Sequence, residues 1–151
     1  MKINGIVGKF TGPLVQAAIS IDDLKINNVL IWLLVDTGAT YTQLSQRDWS
    51  TKLHIDPVEF RQLENEPTLT AGGIMPSWEL PMKTRLVFRT SGSSLHIEEW
   101  PSIRIIRYDD FPAVERKKLE AVPSILGRDV ILKFKTTLTN KRIEMEKRLL
   151  P

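Results

Sequence analysis

Apolar positions fall into short runs separated by turn-forming residues, which predicts strands more often than helices. The longest run, Val29 to Val35, is seven branched or aromatic apolar residues, a pattern expected of a strand buried on both faces. Ahead of it, Lys2 to Gly12 and Leu14 to Ile21 read as two short strands broken at Gly12-Pro13, and Asp22-Asp23 and Asn27-Asn28 bracket a turn. Behind it, Ser45 with Asp48 three positions later forms a capping-box pattern. It opens a short helix from Gln46 to about Leu53, with Trp49 and Leu53 facing inward. Gly72-Gly73 lies between Thr68-Leu69-Thr70 and Ile74-Met75 as a hairpin tip. Leu80 to Arg89 alternates, and Leu95 to Ile97 and Ile103 to Ile106 add strands after the polar turn Ser91 to Ser94. Ala113 to Val122 suits a helix started by Pro112, with Val114, Leu119 and Val122 on one face and Pro123 as its stop. Ser124 to Leu126 runs into Gly127 and a short helix through Phe134, and Thr136 to Met145 is the last strand.

Composition narrows this picture little. A chain of 151 residues supports one domain, 1–151, with a real core. Its 21 Lys and Arg against 18 Asp and Glu are scattered, without the dense basic patch and interleaved aromatics of a nucleic-acid surface, so no nucleic-acid partner is expected. The absence of cysteine excludes disulfides, thiol catalysis and thiolate metal sites. His54 and His96 are the only histidines and have no ligand spacing, so neither metal nor cofactor is expected. Met1 to Phe10 carries no apolar signal region and the run at Val29 is too short for a bilayer, so the expectation is a cytoplasmic protein with no membrane partner.

The chemistry concentrates where the apolar run ends, in Asp36-Thr37-Gly38-Ala39-Thr40. A carboxylate at the mouth of a core strand is costly unless it is bonded, paired or shared with another acid. One reading is a turn, with Asp36 satisfying nearby amides and Gly38 supplying a positive φ angle. The other is a catalytic aspartate. Ile125-Leu126-Gly127 echoes the same run from branched residues into glycine, again ahead of a helix-like segment.

Three features in order resemble the retropepsin-like aspartic proteases, the single-domain group with retroviral, bacterial and archaeal members. They are Leu33 to Ala39 with Thr42 and Leu44 following, Ala71-Gly72-Gly73-Ile74 in the position of a flap, and Ile125-Leu126-Gly127-Arg128-Asp129 as the second glycine turn and its helix. Asp109 to Val122 would be an insertion. The resemblance implies a mainly β fold, a closed acid-protease barrel with a flap hairpin and two or three short helices. It implies an endopeptidase whose catalytic residues are Asp36, Thr37 and Gly38, whose substrate-binding residues are Ala39, Thr40, Gly72, Gly73 and Ile74, and whose loop is supported by Ile125, Leu126, Gly127 and Arg128. Many retroviral members place an acid where this chain has Thr40, to pair with the arginine of the second turn; Arg128 therefore lacks an obvious local partner. Arg128 and Asp129 otherwise read as the start of a surface helix.

Aspartic-protease chemistry needs two carboxylates, and this chain has a single Asp-Thr-Gly. Asp22-Asp23 and Asp109-Asp110 lack the preceding strand and following glycine. The second loop must then come from another copy, so a two-fold homodimer acting on a peptide or protein is expected. In that reading Thr37 interlocks the two loops and the Gly38 carbonyl accepts from the peptide, while Ala39 has no hydroxyl to offer the carboxylates. Ile74, Met75 and Trp78 are pocket or hairpin-packing residues. The rival readings are a dimeric peptide-binding or assembly module of the same fold that does not cleave, and a generic β-domain in which Asp36 is a turn residue.

Overall fold

The computed structural model describes residues 1–60, 63–64, 66–70, 73–108 and 111–148. Among the described residues, thirteen strands and two α-helices follow one another in the order β1 (Lys2–Gly8), β2 (Gly12–Ile21), β3 (Ile26–Val35), β4 (Gln43–Leu44), β5 (Thr68–Thr70), β6 (Gly73–Met75), β7 (Ser77–Leu80), β8 (Thr84–Arg89), β9 (Leu95–Trp100), β10 (Ile103–Ile106), α1 (Ala113–Leu119), β11 (Ser124–Leu126), α2 (Arg128–Ile131), β12 (Phe134–Leu138) and β13 (Arg142–Lys147). Eleven of the strands form one mixed sheet in the order β12-β13-β1-β2-β3-β11-β4-β10-β7, with β8 joining β2 to β9 as a branch. Strands β5 and β6 stand apart as a two-stranded hairpin.

The fold is mainly β, as expected, but the pairing path does not close on itself into the expected barrel. The reason is the fork at β2, which pairs with β1 through Leu14 and with β8 from Ala18 onward, so that the sheet divides instead of curling into one ring. No helix among the described residues is long and apolar enough to cross a membrane.

The run at Val29–Val35 differs from expectation as well. Ile31, Leu33 and Val35 are buried while Leu30 is exposed and Trp32 and Leu34 are half-buried, because β3 lies in an antiparallel pairing with β2 and only one face meets the core. That core gathers Val15, Ile19, Leu33, Leu80, Leu86, Phe88 and Ile105. A second, smaller cluster joins Ala39, Ile106, Tyr108 and Ile125, with Met75, Phe111 and Leu119 packed against it.

The helix expected from Gln46 forms. Trp49 and Leu53 are buried as anticipated, and the turn widens to a π form over Asp48–Lys52, where the Leu53 amide reaches the Asp48 carbonyl at 2.9 Å. The α1 helix is shorter than the expected Ala113 to Val122, and Val114 points to solvent, so its packing rests on Leu119. The helix expected to run through Phe134 stops at Ile131, and Thr136 to Met145 is a hairpin of β12 and β13, not one strand. The hydroxyl of Thr139 accepts from the amides of Lys141 and Arg142, a side-chain turn that folds the chain back.

Candidate active site

Asp36 is placed by a crossing of two distant segments. Strand β11 inserts between β3 and β4 and runs parallel to β3, with Leu126 opposite Val35. The chain leaving β3 must therefore arch over the end of β11 before it can return as β4. Backbone bonds tie the arch down: the Asp36 amide donates to the Leu126 carbonyl at 3.1 Å, and the Arg128 amide donates to the Ala39 carbonyl at 2.9 Å. Gly127 lies directly beneath. A Cβ there would sit 2.4 Å from the Tyr41 carbonyl carbon, so only glycine permits the close approach. The echo between the two apolar-to-glycine runs is thus a spatial juxtaposition.

At the apex, Asp36 Oδ1 accepts the Gly38 amide at 2.8 Å, and the Ala39 amide donates to the Asp36 carbonyl at 3.2 Å. The expectation that Gly38 supplies a positive φ is not met; among the described glycines that conformation falls at Gly12 and Gly92. The aspartate side chain makes this turn. Thr37 and Gly38 are exposed and Asp36 is half-buried, so one carboxylate oxygen is engaged and the loop faces outward. Ala39 points the other way and is fully buried among Ile106, Tyr108 and Ile125, where a larger side chain would have to displace them.

The supporting turn is held by Asp129, which in the sequence reads either as part of the second glycine turn and its helix or as the start of a surface helix. Asp129 accepts from the Thr42 amide at 3.0 and 3.1 Å and from the Thr42 hydroxyl at 2.8 Å, and its Oδ1 also takes the Val130 amide at 3.0 Å. The Thr42 hydroxyl in turn accepts the Gly127 amide at 3.1 Å. One carboxylate therefore locks loop, glycine turn and helix start together. Arg128 is exposed and does have a local partner: its Nη2 donates to Thr40 Oγ1 at 3.1 Å. A neutral hydroxyl receives the arginine at the position where many retroviral members carry an acid.

The capping pattern at Ser45 is half realised. Ser45 Oγ accepts the Asp48 amide at 3.4 Å, but the Asp48 carboxylate turns away to Ser124, taking its amide at 3.1 Å and its hydroxyl at 2.7 Å. The Ser124 hydroxyl accepts the Ser45 amide at 3.1 Å. Asp48 is fully buried, with Arg47 at 3.2 Å and Lys52 at 3.7 Å beside it, so a second carboxylate anchors β11 from its other end. Ser124, a serine within an otherwise apolar run, was the available signal.

Two further buried groups border the arch. Gln43 pairs with Ile125 across β4 and β11, and both polar atoms of its side chain are buried without a hydrogen-bond partner among the described residues. Tyr108 is buried behind Ala39, and that burial pushes its hydroxyl up from 10.0 to about 12.

Strands β5 and β6 pair Thr68 with Met75, Leu69 with Ile74 and Thr70 with Gly73. Ala71 and Gly72, at the expected hairpin tip, lie outside the described residues. Ile74 is largely exposed, Met75 packs toward the Ala39 cluster, and Trp78 is buried beneath the Arg107 guanidinium at 5.2 Å. Among the described residues no group of three or more His, Cys, Asp or Glu is placed to hold a metal.

No family model matches the chain, and neither does any curated protein. Among solved structures it is similar to the crystal structure of a retropepsin-like aspartic protease from Rickettsia conorii, at 18% sequence identity and a TM-score of 0.42, over 96% of this chain and 89% of that one.

Proposed function

We propose that this chain is an aspartic endopeptidase, completed as a homodimer in which two Asp36 carboxylates share a proton and a water. The observation that carries this reading is the braced arch: Asp36 sits at the outward apex of a loop fixed from below by Leu126, Gly127 and Asp129. A plain turn would not require a half-buried carboxylate clamp and a glycine underpass to hold its position. Such rigidity is what positioned acid–base chemistry needs.

In the dimer, one Asp36 takes a proton from the water, whose oxygen bonds to the scissile carbonyl carbon. The other donates its proton to the carbonyl oxygen. The acid that took the water's proton then passes it to the amide nitrogen, the carbon–nitrogen bond breaks to release the amine, and a hydroxyl of the diol gives its proton to the other carboxylate as the product acid forms, which restores the shared proton. Close like charges keep both acids from ionising together. The exposed Thr37 would meet its counterpart at the axis, and the β5–β6 hairpin would close over an extended peptide as a flap, with Gly73 and Ile74 on its returning strand.

The test is hydrolysis of a peptide library by wild type and Asp36→Asn, with sedimentation at the assay concentration. Cleavage by the wild-type dimer that falls by about 10²–10⁴-fold in the variant is expected. Undiminished cleavage by Asp36→Asn, or cleavage by a stable monomer, overturns the proposal. If neither protein cleaves and both bind peptides, the arch serves a binding module.

A further inference from the structure

The sheet face turned away from the main core is apolar where a solvated antiparallel face is ordinarily polar. Ile6 pairs with Leu14 and Leu14 with Leu34; Gln16 pairs with Trp32; Ala18 lies between Leu30 and Val87; Val87 pairs with Ile97 and Arg89 with Leu95. Paired residues project to the same side, so these side chains make one surface across β1, β2, β3, β8 and β9. Their alternate neighbours Val15, Ala17, Ile31, Leu33, Leu86 and Phe88 fill the core. Ile6, Leu30, Leu95 and Ile97 are each at least half exposed, an accumulation that marks an interaction site in a water-facing sheet.

The fork at β2 gives this surface its shape. Strand β1 pairs with β2 as far as Leu14 and β8 pairs with it only from Ala18, so Gln16 between them is paired on one side alone, with Trp32. A notch opens at that point, and it holds two adjoining cavities of about 350 and 290 Å³ that share Gln16 and Arg89. Ile6 and Trp32 line the first, Leu30 and Leu95 the second.

Charge selects the occupant. Arg89 is exposed within this apolar surface and makes no ion pair among the described residues, and Glu99, an acid on the same strands, is already paired with Lys83 at 3.5 Å. A second copy seated two-fold over the notch would set Arg89 against Arg89, and a flat bilayer could not enter it. We infer that the groove docks an amphipathic segment of a partner protein, with apolar side chains over Leu30, Trp32 and Leu95 and a carboxylate on Arg89.

The test uses the full chain carrying Asp36→Asn, so that a peptide survives, and fluorescence anisotropy of a labelled amphipathic leucine–glutamate peptide. Saturable binding is expected, about tenfold weaker with Arg89→Glu and regained there by the leucine–lysine version of the peptide. Leu30→Lys should abolish it; Arg89 and Leu30 are both exposed, and thermal melting checks that the variants stay folded. No binding, equal binding of glutamate and glutamine peptides, or indifference to Arg89→Glu overturns the inference. So does failure of the peptide accompanied by Leu30-dependent cosedimentation with phosphatidylcholine–phosphatidylserine vesicles, which assigns the face to lipid. Leu30-dependent self-association without peptide binding assigns it to a second copy and equally overturns the inference.

Discussion

Asp129 and Thr42 are joined by three hydrogen bonds, from the Thr42 amide to both carboxylate oxygens and from its hydroxyl to one of them. Thr42 is buried, so its amide and hydroxyl have no solvent to turn to if the acid is removed. Asp129→Ala is expected to cost about 2–3 kcal/mol in urea unfolding, because it strands charge-assisted donors. Asp129→Asn, which keeps one acceptor oxygen, should cost less. On the proposed function, peptide turnover at saturating substrate falls in both variants in the same order.

The Thr40–Arg128 bond lies on an exposed rim. Replacing the hydroxyl by an acid converts a neutral acceptor into a charged one without burying anything. Thr40→Asp should therefore stabilise the protein by only about 0.5 kcal/mol at low salt, and the gain should vanish in high salt. A gain above about 1 kcal/mol would mean that the pair is shielded from solvent.

Asp48 is a fully buried charge. It receives two donors from Ser124 and stands beside two cations that are partly exposed. Asp48→Ala leaves Ser124 without its acceptor and the cations without their anion, and is expected to cost about 3–5 kcal/mol in chemical denaturation. Ser124→Ala, which removes one of the two donors and keeps the ion pairs, should cost about 1–2 kcal/mol.

Gln43 carries the opposite prediction. Its buried amide has no hydrogen-bond partner among the described residues, so a side chain of similar length without polar groups relieves a desolvation penalty. Gln43→Met should raise stability by about 1 kcal/mol or more, read as a higher denaturation midpoint at unchanged slope.

Tyr108 sets an alkaline limit. Its hydroxyl titrates near 12 in the folded chain and at 10.0 when freed, so between these values the folded state holds the proton and the unfolded state has released it. Stability from this group is complete below pH 10 and is lost as pH rises toward 12, by roughly 2–3 kcal/mol in all. Tyr108→Phe should flatten that part of the stability curve, measured by denaturant titration at a series of pH values.

Local pattern carried most of the strands and the turn at Gly127, because alternation, branched side chains and turn residues act over a few neighbours. It also marked Asp36 as a carboxylate in need of a reason, and the Ser45 to Leu53 helix by its cap and inward residues. What tertiary structure alone decided is which distant groups meet. That the Asp36 arch crosses Gly127, that Asp129 clamps Thr42 and that Asp48 reaches Ser124 depend on β11 inserting between β3 and β4, a non-local pairing that local pattern marks only as an echo between two apolar-to-glycine runs. The one-sided burial of β3 has the same origin: seven apolar residues in a row cannot reveal which face the fork of the sheet will leave open, since that depends on where β1 ends and β8 begins along β2.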